Sequence, residues 1–488
     1  MLPAIPCFDA WRVTVSGVSM WKFLYNIGLL LAAPVIVGVL LAKPRCRPGF
    51  LQRMGWDGCL SGLFGGGNPD QPDQPNKPDK PDKPDKLNKP DKPVVWLHAV
   101  SLGEVVAAAP LVKALHERHP EFRYIVTTVT ETGREAVEQR LEGIAEHRYA
   151  PLDFSWAVAG MVRRMRPMLY VFVETEIWPN LLWTLREQDV PSVLVNGRLS
   201  SRSFRRQDVP VIRSFYRSVL QTVTLCLMQT SRDGDRLVAL GADPTRVHVT
   251  GNIKFDQPLP NVRSDESLRR NLGIDEHEQL ILAGSTHPGE EELLVSAYRQ
   301  IVKTHPSTVL ILAPRHIERV ERVEAMLREA GLVVQRRSRI REKQSGPRVV
   351  ILDTRGELSR AYGEAVVAFV GGTLVPVGGH NLLEPAVWGT PVMFGPHTDH
   401  CVEVATLLSE AGGGRRVTGE EDLVASLDEW LGHPETRYRV GQAARQAVLD
   451  NQGALIRSLE LIETCLRAVP SYSHSNVATG PGPLMAKP

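Results

Sequence analysis

The sequence predicts an α/β protein of two Rossmann-like domains carried behind an N-terminal apolar helix. Three observations predict it. From Val94 onward, short apolar runs alternate with helical stretches in two successive series; a proline-containing connector, NIKFDQPLPNVRS, separates them; and 488 residues are too many for a single core. The apolar share, 43%, is ordinary for a soluble α/β body, and a net charge of +2 excludes a nucleic-acid binder driven by electrostatics, which would be far more basic. Cys7, Cys46, Cys59, Cys226, Cys401 and Cys465 form no C-x-x-C pair, so they read as reduced thiols rather than a disulfide frame or a zinc site.

Residues 1–22 read as an extension, with Met20 an alternative start. Phe23 to Ala42, FLYNIGLLLAAPVIVGVLLA, has the length and composition of a bilayer span. Lys43, Arg45 and Arg47 follow it, which by the positive-inside rule keeps the remainder cytoplasmic. A cleaved signal peptide is the competing reading, but a long apolar run followed by dense positive charge favours an anchor. Pro34 permits a kink, so an interfacial helix is also open.

A juxtamembrane segment, 43–65, leads into a spacer over 66–93, where P-D-K and P-D-Q repeats cannot form a core and favour extended chain. The first domain is expected over 94–255, with strands in VVWLHAV, YIVTTVT, MLYVFVE, SVLVNGR, LCLMQT and VHVTG. The second is expected over 256–468, with strands in LILAG, TVLILAP, RVVILD, AVVAFVGG and PVMFG, closed by helices from about Gly419 to Ala468. Neither contains G-x-G-x-x-G, and 469–488 reads as a disordered tail.

Chemistry-bearing residues gather at strand ends. Ser101-Leu-Gly-Glu104 fits a capping box at a helix start. Alternatively Glu104 is a general base that the helix end keeps ionised. Glu174 and Glu176 close an apolar strand in VFVETEIWPN, and on an extended segment they would share one face; carboxylates there are costly unless paired or functional. Pro314, Arg315 and His316 end TVLILAP, where an arginine beside free backbone amides suits a phosphate or a carboxylate, or else makes a surface ion pair. In GGHNLLEPA, Asn381 and Glu384 either form a capping arrangement at a helix start or leave the Glu384 carboxylate to accept bonds from ribose hydroxyls. Asp233-Gly-Asp235 resembles a divalent-ion motif but precedes a short helical run, which favours capping. The histidines, His98, His287, His316, His380, His397 and His400, lack metal-ligand spacing.

With these residues assembled, the chain from Val94 to about Ala468 resembles the 3-deoxy-D-manno-octulosonic acid (Kdo) transferases of lipopolysaccharide synthesis. It does so through SLGE, ETEIWPN, NGRLSSRS, TGNIKFD, GSTHPGEE, APRH, GELSRAYG and GGHNLLEPA in order. The resemblance implies the GT-B fold, in which two Rossmann-like domains face a cleft, and a membrane anchor. It also implies inverting transfer of Kdo from CMP-Kdo to a lipid A precursor, lipid IVA, with no metal or other cofactor and no nucleic-acid partner. It places the proton acceptor at Glu104 and transition-state stabilisers at Glu174 and Lys254. CMP contacts fall at Pro314 and Arg315, at Arg355, Gly356 and Glu357, and at Asn381, Leu382, Leu383 and Glu384. In such a reaction CMP leaves readily, so a base that takes the acceptor proton matters more than a general acid. The P-D-K spacer and Asp399-His400 depart from the family pattern. Another CMP- or UDP-sugar transferase, a UDP-sugar 2-epimerase and a non-catalytic membrane-tethered sugar-nucleotide binder are the alternatives.

Overall fold

The computed structural model describes residues 16–42, 49–56, 92–256, 266–340, 346 and 348–468. The Lys43, Arg45 and Arg47 cluster, nearly all of the spacer, the tail and residues 1–15 of the extension lie outside them. The described chain forms two compact units. One holds the residues up to Asp256 together with those from Gly453 onward, and the other holds those between.

The first unit is built on seven parallel strands: β1 (Val94–His98), β2 (Arg123–Thr128), β3 (Ala145–Tyr149), β4 (Pro167–Val173), β5 (Ser192–Gly197), β6 (Leu225–Met228) and β7 (Val247–Val249). Their spatial order is β3-β2-β1-β4-β5-β6-β7. β1 is buried along its whole length because helices cover both faces of the sheet. Val95 and Leu97 pack with Val105, Leu111 and Val112 of the following helix, Leu102–Arg118, whereas Val94 and Trp96 pack with Met161, Val162 and Tyr170 on the other side. Strand order reverses between β1 and β4, which are direct neighbours, and such a switch point is where open α/β sheets bind ligands.

The second unit repeats the plan with β8 (Gln279–Thr286), β9 (Thr308–Pro314), β10 (Val334–Arg336), β11 (Arg348–Ile351), β12 (Val367–Val370), β13 (Val392–Phe394) and β14 (Gly414–Arg416). The order is β10-β11-β9-β8-β12-β13-β14, again all parallel, with the reversal between β8 and β12. The loop after β12 has no ladder partner, and a carboxylate takes that part. Glu290, with no exposed surface, accepts from the backbone N–H groups of Gly372, Thr373 and Leu374 at 2.7, 2.9 and 2.9 Å and from that of His287 at 2.9 Å.

Two features differ from the sequence-based expectation. The last described helix, Ala454–Arg467, does not belong to the second unit. Its Ala454, Leu459, Ile462 and Leu466 complete the core of the first, and Asp256 accepts from Gly453 N and Leu455 N. The apolar N-terminal helix is longer than expected, Ser16–Ala42, and its Met20–Leu40 stretch is long and apolar enough to cross a membrane. One stripe of it packs on the first unit. Trp21 and Tyr25 meet Phe215, and Leu29, Ala33 and Ile36 meet Met54, Phe154 and Ala157. The opposite stripe, including Phe23, Leu24, Ile27, Leu31 and Val35, is exposed.

Replacing Glu290 by Ala strands four backbone donors. The expected cost is about 3 kcal/mol or more, read as a lowered denaturation midpoint, with Glu290→Gln intermediate because it keeps one acceptor.

Candidate active site

Glu104 stands at the mouth of the first βα unit, in the first turn of Leu102–Arg118. Its Oε2 accepts from Val100 N at 2.8 Å and its Oε1 from Ser101 Oγ at 2.9 Å. Ser101 therefore serves the carboxylate and makes no side-chain bond to the helix end, and Glu104 reaches Val100 N rather than the N–H of the cap residue itself, so the expected capping box does not form. The residue is 8% exposed. Burial raises its pKa to about 7 against the pull of those two donors, and the nearby carboxylates of Glu176 and Glu174 add to the rise. The expectation that the helix end holds Glu104 readily ionised is thus corrected, because desolvation outweighs the hydrogen bonds that favour its charged form. A carboxyl that titrates near neutrality is also a much stronger base than an ordinary glutamate.

Glu174 follows β4, the strand beside β1. It sits in a turn with φ of 59°, a left-handed conformation that non-glycine residues adopt at a cost and that recurs at functional sites. This turn replaces the extended segment expected from sequence and sends the two glutamates to different partners. Glu174 Oε1 accepts from Lys254 Nζ at 2.9 Å, and Glu176 Oε2 accepts from Trp178 Nε1 at 3.1 Å. Burial raises the pKa of Glu176 as well. The Glu174 and Lys254 side chains are 26% and 39% exposed, so their ion pair adds little stability and chiefly fixes the two groups relative to each other.

Three amides aim Lys254, and the sequence reading named none of them. Asn252 Oδ1 accepts from Lys254 N at 3.0 Å and caps the 3-10 turn Ile253–Phe255. Asn196, itself left-handed at φ 57°, accepts from Ile253 N through Oδ1 at 3.1 Å. Gln229 joins the two, donating to the Asn196 carbonyl and accepting from Asn252 Nδ2. Their only trace in the sequence is an Asn at each of two strand ends, in NGR and TGN.

Bland readings hold elsewhere. Asp233 is buried, pairs with its cap Thr230 and accepts from Leu199 N at 2.8 Å, so D-G-D is structural. His98 is fully buried, which lowers its pKa to about 4, and it bonds Thr127 Oγ1 at 2.9 Å.

In the second unit Pro314 is the buried last residue of β9, and Arg315 is exposed just beyond it, donating its backbone N–H to Thr286 O at 3.0 Å. Arg355 and Gly356 form the exposed turn after β11, with Gly356 at φ 87°, while Glu357 accepts from Arg337 Nη2 at 2.9 Å and from Thr354 Oγ1. Asn381 is not the N-cap of the short helix Leu383–Trp388, because Leu382 is. Asn381 still accepts from Leu383 N at 3.1 Å and donates to Glu384 Oε1 at 3.2 Å, whereas the side chains of Leu382 and Leu383 are buried in the core. Beside them His380 and His287 bring their Nε2 atoms within 2.8 Å, with His316 edge-on to His287. Burial lowers the pKa of His380 to about 4, and His287 and Arg315 lower it further, so at neutral pH it carries no charge.

Two doubly wound parallel sheets in succession, each with polar residues at its carboxyl ends, define the GT-B class of fold. Solved structures support that fold. The UDP-GlcNAc 2-epimerase of Neisseria meningitidis bound to UDP-GlcNAc matches with a TM-score of 0.52, over 76% of this chain and 99% of that one, at 13% identity. MurG of Acinetobacter baumannii matches with a TM-score of 0.50, over 76% and 99%, at 14% identity. The family described as 3-deoxy-D-manno-octulosonic-acid transferase (kdotransferase) matches residues 77–257. The 3-deoxy-D-manno-octulosonic acid transferase of Haemophilus influenzae is 33% identical over 92% of this chain and 99% of its own. That of Bordetella pertussis is 35% identical over 76% and 87%. The chain belongs to the Kdo transferase family.

Because the raised pKa means that the folded state binds the Glu104 proton more tightly than the unfolded chain, its stabilising contribution is complete below about pH 4.5 and lost as pH rises through about 7. Glu104→Gln is therefore expected to raise Tm by about 5–10 °C at pH 8 and leave it nearly unchanged at pH 4.5, as read by scanning calorimetry.

Proposed function

We propose that this chain moves Kdo from CMP-Kdo to a hydroxyl of lipid IVA, with inversion, at the cytoplasmic face of the inner membrane, where the N-terminal apolar helix holds it. Family membership supports Kdo transfer, and the position and environment of Glu104 carry the mechanism. As the acceptor oxygen bonds to the anomeric carbon of Kdo, its proton passes to Glu104. The bond from that carbon to the CMP phosphate breaks, and its electron pair leaves with CMP. Ser101 Oγ and Val100 N hold the carboxylate so that it loses little freedom in the step.

Glu174 and Lys254 act as a fixed pair, the carboxylate facing positive charge that develops on the sugar and the ammonium facing the donor's anionic oxygens. Pro314, Arg315, Arg355, Gly356, Glu357 and Asn381 to Glu384 hold CMP. Leu382 and Leu383 contribute through their backbone, because their side chains lie in the core. No step requires a metal or other cofactor.

Glu104→Gln is expected to lower kcat by about 10²–10⁴ while the protein stays folded, and wild-type kcat/KM is expected to rise with pH through a midpoint near 7. A fully active Glu104→Gln enzyme, or a midpoint at the ordinary glutamate value, contradicts the assignment. Excess chelator is expected to leave transfer from CMP-Kdo to lipid IVA unchanged, as followed by mass spectrometry of the glycolipid.

A further inference from the structure

The turn that carries Glu174 and Glu176 runs straight into the helix Pro179–Glu187, whose cap residue Trp178 makes no side-chain bond to the helix end. Asp153, from the segment after β3, supplies that cap from outside. Its Oδ2 and Oδ1 accept from Asn180 N and Leu181 N at 3.1 and 3.0 Å. Asn180, fully buried, also donates its side-chain amide to the Asp153 carbonyl. Both residues are completed from the apolar N-terminal helix. Tyr25 Oη donates to Asp153 Oδ2 at 2.9 Å, and Asn26 and Asn180 exchange amide hydrogen bonds at 2.9 and 3.0 Å.

A helix that served only as a tether would need no such groups. In a run that reads almost entirely apolar, Trp21, Lys22, Tyr25 and Asn26 make one stripe at helical spacing, and each has a partner on the first unit: Ser214, Glu187, Asp153 and Asn180. If the stripe were withdrawn, the buried Asn180 amide would lose both its bonds to Asn26, keeping only the Asp153 carbonyl, and Asp153 would lose one of its donors, in a place where burial already raises the Asp153 pKa to about 7. The relaxed state open to that strain is a shift of the Asp153 cap and, with it, of the turn that begins the helix. Trp178, at the end of this turn, bonds Glu176 and packs edge-on against His98 at 4.8 Å, so a shift there reaches the site.

We propose that the N-terminal apolar helix is a positioning element of the active site. Through Tyr25 and Asn26 it holds Asp153 and Asn180, and through them the Glu174–Pro179 turn, so its docking on the catalytic body is required for full turnover. The proposal rests on the assigned role of Glu174. Tyr25 and Asn26 are positioning residues and touch no substrate.

The test uses the full chain in detergent micelles with CMP-Kdo and lipid IVA, where anchoring to a bilayer no longer matters. Tyr25→Phe, which keeps the ring against Trp183 and Phe215, is expected to lower kcat about tenfold with KM for CMP-Kdo within about twofold of wild type, since a displacement near 1 Å costs up to about 10² in rate. Asn26→Ala is expected to act in the same sense, and Asn26→Gln to restore part of the loss. Leu31→Ala, on the exposed stripe, is expected to leave both constants unchanged. Should Tyr25→Phe fail to fold, the Asn26→Ala and Asn26→Gln pair, which leaves Asp153 all its donors, decides the question.

Wild-type kcat in the Asn26 and Tyr25 variants, or a loss confined to KM, overturns the proposal. Glu174→Gln separates the two levels. If that variant retains wild-type kcat, the role of Glu174 fails; if it is inactive while the Tyr25 and Asn26 variants are fully active, only the positioning role fails.

Discussion

A carboxylate taken out of water and held by two donors is the constraint around which the candidate site of the first unit is organised. Glu104 is buried at a helix start, where two donors pull its pKa down and desolvation pushes it up, and desolvation wins. That balance depends on the β1–β4 adjacency, which places the Glu174 and Glu176 charges close enough to add to the rise. With those neighbours and without the donors, the group would stay protonated at neutral pH and be useless as a base. With the donors alone in open water, it would be an ordinary and weak one. The site needs both.

The loops at the strand ends have no ladder to hold them, and in this protein buried or half-buried carboxylates take that task. Glu290 gathers four backbone donors around the turn after β12. Asp153 caps the helix that follows the Glu174 turn, and Asp256 caps the helix by which the C-terminal segment rejoins the first unit. Each ties together segments far apart in sequence, so an irregular segment can be held without a hydrophobic core of its own. Asn196, Gln229 and Asn252 do the same for Lys254 with neutral groups, which leaves the ammonium's charge for its partner Glu174.

What could be read from the sequence follows from the same physics. Central parallel strands are buried on both faces, so β1, β4, β9 and β12 announce themselves as apolar runs with a turn at the end. The edge strands β3, β10 and β14, with sequences AEHRY, VQR and GRR, have one side open and carry no such run, so nothing marked them. The final helix reads as a continuation of the second domain because sequence adjacency does not show which core its apolar stripe completes. Among the site residues, Glu104, Glu174, Arg315 and Asn381 stood out by type and by position at strand ends, and Lys254 and Arg355 to Glu357 only through family resemblance. The left-handed turn at Glu174 and the amide network behind Lys254 left no periodic signal. The protonation behaviour of Glu104 is not legible in the sequence, because a polar motif at a helix start reveals nearby donors and hides the burial.

The most direct test of the account is a titration of the Glu104 carboxyl itself. An infrared difference titration of wild type against Glu104→Gln, in the substrate-free enzyme, isolates its carboxylate band. A band that grows in with a midpoint near pH 7 is the result the account requires. A midpoint close to that of a solvent-exposed glutamate would contradict it, because the group would then lack the basicity on which the proposed proton transfer depends.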